Sequence, residues 1–395
     1  MERLFDLSRA KVASVPTRFK RFLLQNVDWK QRMIGIKGAR GTGKTTLLLQ
    51  QLKNLSPSQS LYVSLDDIYF SENPLIYFAE AFARNGGTYL FLDEVHKYPN
   101  WSQELKNIYD SIPGLNVVFT SSSALEIHKG KFDLSRRALV YELPGLSYRE
   151  FLQLNYEINL STVALDQIVS GSESVIFNQM PGFKPYKYFS EYLQNGYYPY
   201  FIDDETHYHA RLTETINQVL ESDLPAIYKI DYEAIIKLKK LLFIISTLVP
   251  YKPNIYKLAE QIGSTRDTVL RYLYFLHNAH IIRWVSNDSE GTNFLNKPDK
   301  LYLENTNISF ALGKQQVNSG TVRETFFLNQ LSVGHTLTYP QKGDFLVDNH
   351  YTFEVGGKNK SRKQIIDIEN SFVVSDEIEY GSLKKLPLWI FGFLY

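Results

Sequence analysis

The strongest chemical signal is the run Gly38-Ala39-Arg40-Gly41-Thr42-Gly43-Lys44-Thr45. Glycines at this spacing let a backbone close around phosphate oxygens with its N–H groups turned inward. An apolar run, Met33 to Ile36, leads into it, and a helix-periodic run, Thr45 to Leu52, leads out. A helix N-terminus therefore adds partial positive charge to the same place. Lys44 then reaches the outer phosphates and the Thr45 hydroxyl ligates Mg2+, with Gly38 to Thr46 as the binding set.

A second run, Thr88-Tyr89-Leu90-Phe91-Leu92, reads as a buried strand ending in Asp93-Glu94. An acid at a strand end beside a phosphate loop completes a Mg2+ shell, which assigns Asp93 to the metal. Glu94 is then the general base that polarises an attacking water. The competing reading is that both acids cap the following helix. A third strand, Val117-Val118-Phe119, runs into Thr120-Ser121-Ser122-Ser123. A hydroxyl there, Ser121 foremost, reaches a γ-phosphate or the lytic water, or else the serines make a turn and an N-cap. In Asp133-Leu134-Ser135-Arg136-Arg137, a planar guanidinium of Arg136 or Arg137 suits the γ-phosphate of a neighbouring subunit. A solvated basic turn is the alternative.

These residues need a parallel sheet with crossover helices to hold them. Residues 1–155 supply that pattern, with apolar runs at Met33 to Ile36, Leu61 to Leu65, Tyr89 to Leu92, Val117 to Phe119 and Ala138 to Leu143. Beyond them we expect a helical lid or linker over 156–230, a second helical group over 231–290 and a small α+β region over 291–395. A chain of 395 residues accommodates that many domains. Its 27 Tyr and 25 Phe are read as core and interface filling.

The formal net charge of +1 means that any nucleic-acid contact must come from a local basic patch. The absence of cysteine excludes disulfides, thiolate metal sites and cysteine nucleophiles. Met1-Glu2-Arg3-Leu4-Phe5-Asp6 lacks the apolar core of a secretory signal, and Leu241 to Val249 falls far short of the ~20 residues that span a bilayer. The expected compartment is the cytoplasm, with no membrane partner.

The series formed by the phosphate loop, Phe91-Leu92-Asp93-Glu94-Val95-His96-Lys97-Tyr98-Pro99-Asn100-Trp101, the serine-rich strand end, Asp133 to Arg137 and Leu143-Pro144-Gly145-Leu146-Ser147-Tyr148-Arg149-Glu150-Phe151-Leu152 resembles a bacterial and archaeal group of AAA+-type ATPases. The resemblance spans the first 155 residues in order. It implies an α/β fold with an additional-strand P-loop NTPase core, ATP as the nucleotide and homo-oligomers that complete the site. What the ATP drives it leaves open.

Lys252 to Ile262, then Gly263 to Thr265, then Arg266 to Leu276 has the pattern of a helix–turn–helix. Leu258, Ala259 and Ile262 share a face of the first helix; Val269, Leu270, Leu273 and Leu276 follow helical spacing in the second. With a strand from Ala279 to Trp284 this resembles a winged helix. Arg266, Thr268 and Arg271 are then the candidate DNA contacts, and a packing or protein-contact role is the alternative.

In the last region Glu324 near a helix start, Asp344 and Glu354 on strands resemble the restriction-endonuclease-like PD-(D/E)xK arrangement that the ATPase group often carries. That chemistry asks for a lysine two residues after the last acid, and position 356 is glycine, which leaves Lys358 or Lys360 as substitutes. A binding or structural role is therefore expected in place of cleavage. The apolar end, Pro387 to Tyr395, is expected to form a last buried strand.

Overall fold

Strand β1 (Met33–Gly38) is almost wholly buried, as a run without polar alternation requires when helices cover both sheet faces. It lies in a five-stranded parallel sheet with β2 (Ser60–Ser64), β3 (Tyr89–Asp93), β4 (Asn116–Ser122) and β5 (Leu139–Glu142). The order is β2-β3-β4-β1-β5, so β4 stands between the strand that feeds the phosphate loop and the strand that ends in Asp93. In this computed structural model residues 2–122, 134, 136–171, 174–287, 297–313 and 317–395 are described.

Two apolar layers clamp the sheet. Leu90, Leu92, Val117 and Phe119 pack with the helices Leu75–Arg84 and Trp101–Ser111 on one face. Ile34, Ile36, Phe91 and Val118 pack with the helix Lys44–Leu52 on the other. The period-2 alternation of side chains along β3 and β4 divides neighbours between the layers. Both parallel crossovers and acidic strand ends then leave their functional groups on the C-terminal edge of the sheet.

The chain divides into two compact units, Met1–Gly145 with Ser222–Lys229, and Leu146–Glu221 with Ile230–Tyr395. Residues 222–229, which fall in the helical region expected over 156–230, thus count with the first unit.

Within the second unit the helices Tyr232–Leu248, Ile255–Ile262 and Arg266–Asn278 precede an antiparallel pair, β6 (Ile282–Val285) and β7 (Lys300–Leu303). Asn254 caps one helix by accepting from the Lys257 N–H, Gly263 takes the left-handed conformation that ends it (φ 64°), and Thr265 caps the next. A second sheet runs in the order β12 (Lys385–Pro387), β11 (Ser371–Ser375), β10 (Tyr351–Gly356), β9 (Phe345–Val347) and β8 (Leu337–Thr338). The helix Ser319–Leu331 packs on it through Phe327, which meets Phe345, Phe353 and Phe391.

The C-terminal run differs from the expected strand. After β12 it winds into a 3-10 helix, Leu388–Phe393, in which every residue is buried. Phe391 points to Phe353, while Trp389 and Phe393 meet Phe183. A run apolar at every position carries no periodicity to separate the two conformations.

Candidate functional site

The phosphate loop owes its shape to glycine at three places. Gly41 and Gly43 take φ of 84° and 94°, which a side chain strains. Gly38 has no such angle, but a Cβ on it would lie 2.5 Å from the Leu143 carbonyl oxygen. Gly38→Ala is therefore expected to destabilise the first unit by about 1–3 kcal/mol, read as a lower melting temperature. An unchanged melting point would contradict the tight contact between the loop and the Leu143 backbone.

Lys44 Nζ donates to the carbonyl oxygens of Gly38 (2.9 Å) and Ala39 (3.0 Å). Burial pushes its pKa down, opposed by the charges of Glu94, Asp93 and Asp223. Thr42 donates its hydroxyl to Ala39 O at 2.9 Å. The loop is braced from outside by the buried Arg21, which donates to Thr42 O (2.6 Å) and to Pro144 O and Gly145 O (both 2.8 Å). No local motif marks Arg21; only the folded chain brings residues 21, 42 and 144 together.

Asp93 is 3% exposed, and such a buried carboxylate needs donors. Its Oδ2 accepts from the hydroxyls of Thr45 (2.7 Å) and Tyr62 (2.8 Å), and its Oδ1 from that of Thr120. Thr120 also accepts from the Glu94 N–H at 3.0 Å. The hydroxyl that joins the two acids is thus Thr120's. Ser121, the foremost of those hydroxyls in the sequence, is fully buried and its Oγ has no hydrogen-bond partner among the described residues. Alternation along β4 explains the difference, because adjacent residues point to opposite faces. Ser123, Asp133 and Ser135 lie outside the described residues.

Glu94 leaves the strand with φ 56°, in the left-handed region, which turns its side chain from the line of Asp93. Burial raises its pKa, with Lys44 opposing that shift. Beside it His96 Nδ1 accepts from the Ser122 N–H at 3.2 Å, so the ring proton of the neutral imidazole sits on Nε2, 3.4 Å from Glu94 Oε2. Burial pushes the His96 pKa down to about 4. Unfolding restores an ordinary histidine, so the unfolded chain takes up a proton first. This contribution to stability is full above pH ~6.5 and is lost as pH falls towards 4. His96→Gln is expected to flatten the acid side of a melting-temperature profile, and an unchanged slope would count against a buried neutral His96.

Arg136 and Arg137 precede β5 and so stand at the edge of the parallel sheet opposite Lys44 and Asp93. Arg137 pairs with Asp110 through Nε and Nη2 at 2.9 and 3.0 Å. Neither arginine joins its own chain's phosphate loop.

In the second unit Arg266 is paired with Asp267 at 3.1 Å, whereas Arg271 is exposed and Thr268 N–H is bound to the Thr265 hydroxyl. The C-terminal acids do assemble, but against lysines. Lys300 Nζ lies 2.7 Å from Glu324 Oε2 and 3.7 Å from Asp344 Oδ1, while Lys360 Nζ reaches Glu354 Oε1 at 2.5 Å. The space above Gly356 is taken by the Lys360 stem, since a Cβ there would meet it at 2.7 Å. Lys360 thus pairs with Glu354 from across Gly356, and Lys300 puts a positive charge between two of the acids. Among the described residues no three acid or imidazole side chains are grouped to hold a metal ion.

Residues 30–152 match a family described as an AAA domain, and residues 186–318 match a domain of unknown function (DUF8612). The first match covers the sheet, the phosphate loop and the Asp93-Glu94 strand end, and the parallel-sheet core of the first unit has the P-loop NTPase fold. An uncharacterized protein of Methanocaldococcus jannaschii is 25% identical over 406 aligned residues, covering 91% of this chain and 84% of that protein. Among solved structures, AMPPCP-bound DnaA from Aquifex aeolicus aligns at 15% identity and a TM-score of 0.27 over 68% of this chain and 86% of its own. PCH-2 from C. elegans aligns at 17% identity and 0.25 over 69% and 67%. Likeness at this level carries no argument about function. No helix among the described residues is long and apolar enough to cross a membrane.

Proposed function

We propose that the chain binds ATP with Mg2+ at Gly38 to Thr46, hydrolyses it, and works as an oligomeric motor or switch. The observation that carries the reading is the convergence of Thr45, Tyr62 and Thr120 on Asp93, with Glu94 turned aside next to Lys44. The loop fits a phosphate chain: left-handed Gly41 and Gly43 open its backbone, and Lys44 lies on its own carbonyls. Thr45 and Asp93 would hold Mg2+ together with phosphate oxygens, which suits a cation that takes one or two protein ligands. When bound, the ion neutralises phosphate charge. Lys44 binds and orients the outer phosphates, while Glu94 accepts a proton from water. His96, a buried neutral imidazole with Nε2 3.4 Å from Glu94 Oε2, packs beside that carboxylate.

Arg136 and Arg137, on the sheet edge away from their own loop, suit a role towards a neighbouring copy. Mass photometry with and without ATP tests that part. Nucleotide-dependent assembly supports the oligomeric reading, and a monomer in both conditions removes it.

A second reading, an ATP-gated DNA-binding regulator, is favoured by the helix–turn–helix followed by β6 and β7, with Arg271 exposed. Binding of duplex DNA is then expected to weaken steeply between about 50 and 200 mM salt, as counterion release requires, and to change with a non-hydrolysable ATP analogue. A titration with no binding in either nucleotide state removes this reading. Nuclease action is disfavoured by Lys300 between Glu324 and Asp344.

A further inference from the structure

One buried acid of the first unit comes from outside the AAA match. Asp223, 2% exposed, belongs to Ser222–Lys229, the short segment that joins the first unit between Glu221 and Ile230. Its Oδ1 lies 2.5 Å from Lys97 Nζ, 3.5 Å from Arg40 Nη1 and 4.0 Å from His96 Nε2. Ser222 adds its hydroxyl to Lys97 at 3.1 Å. Arg40 is part of the phosphate loop itself, and Lys97 and His96 follow Glu94 by three and two residues. The Asp223 charge also acts on Lys44, as do those of Asp93 and Glu94.

The buried carboxylate and a phosphate chain on the same loop are like charges that draw on the same cation, Arg40, whose side chain reaches from solvent to Asp223. Both cannot hold the guanidinium fully. The γ-phosphate adds the charge that separates ATP from ADP, so the conflict is sharper with ATP.

We propose that Asp223 is a phosphate-sensing residue: it pairs with Arg40 and Lys97, a triphosphate on the loop competes for Arg40, and residues 222–229 move in response. The proposal rests on the reading of Gly38 to Thr46 as a nucleotide site. Because the segment runs directly into Glu221 and Ile230 of the second unit, its movement is passed along the backbone in both directions. By linkage, a segment that phosphate displaces must in turn weaken phosphate binding while it is seated.

Two measurements on the full chain test this. Titration of a non-hydrolysable ATP analogue and of ADP, with Mg2+, compares the wild type with Asp223→Asn. The variant is expected to bind the triphosphate about tenfold more tightly, and ADP with a smaller gain. Hydrogen exchange on the wild type reads residues 219–230 directly, and faster exchange is expected with the triphosphate than with ADP. A folded variant with unchanged or weaker triphosphate affinity overturns the proposal. So does a segment whose exchange is indifferent to the nucleotide, a result that needs no variant. A wild type that binds neither nucleotide is a different failure, because it refutes the nucleotide site itself.

Discussion

Glu94→Gln is expected to lower steady-state ATP turnover by at least ~100-fold while leaving ATP binding intact. The two side chains have nearly the same shape, and the fold contacts here run through the backbone: the Glu94 N–H still meets Thr120. The amide lacks the basic oxygen that takes a proton from water. Lys44, Thr45 and Asp93 are untouched, so the phosphates keep their cradle. The informative outcome is the split between binding and turnover. Loss of both would point to a structural role, and unchanged turnover would remove Glu94 from the chemistry.

Lys44→Ala is expected to act one step earlier and weaken ATP binding by roughly 10- to 100-fold, the range for losing a hydrogen bond to a charged group. The ammonium is buried, and it donates to the Gly38 and Ala39 carbonyl oxygens of the loop itself. Arginine is not expected to rescue the site, because a planar fork cannot occupy the place of a compact ammonium between those carbonyls. An equilibrium titration with a fluorescent ATP analogue measures both variants, and wild-type affinity in Lys44→Ala would contradict the assignment.

The parts of this protein legible in its sequence are those whose signal is local. The phosphate loop is contiguous, its glycine spacing is dictated by backbone conformation, and its flanking strand and helix announce themselves by period. The same holds for Asp93-Glu94 at the end of an apolar strand and for the turn at Gly263 between two amphipathic helices. Tyr62, Thr120 and Arg21 were not legible, because each gains its role from a partner on a different strand or loop. Thr120 shows the limit well: four consecutive hydroxyl residues offer the right chemistry, and only the pleat of β4 selects which one faces Asp93. Asp223 lies furthest from any sequence signal, in a segment between two stretches of the other unit. At the C-terminus the uniform apolarity of Leu388 to Phe393 concealed a 3-10 helix. Of the two lysines that the sequence offered in place of one at Gly356, the one that pairs with Glu354 is Lys360, whose stem passes over the glycine.

The central claim, that Gly38 to Thr46 with Asp93 and Glu94 form a hydrolytic site, is tested most directly by phosphate release from ATP with Mg2+ and with excess chelator. The account predicts release by the wild type that chelation abolishes, that Lys44→Ala lacks and that Glu94→Gln loses almost entirely. Release that persists in folded Lys44→Ala, or a folded wild type that binds ATP with Mg2+ and never releases phosphate, would contradict it.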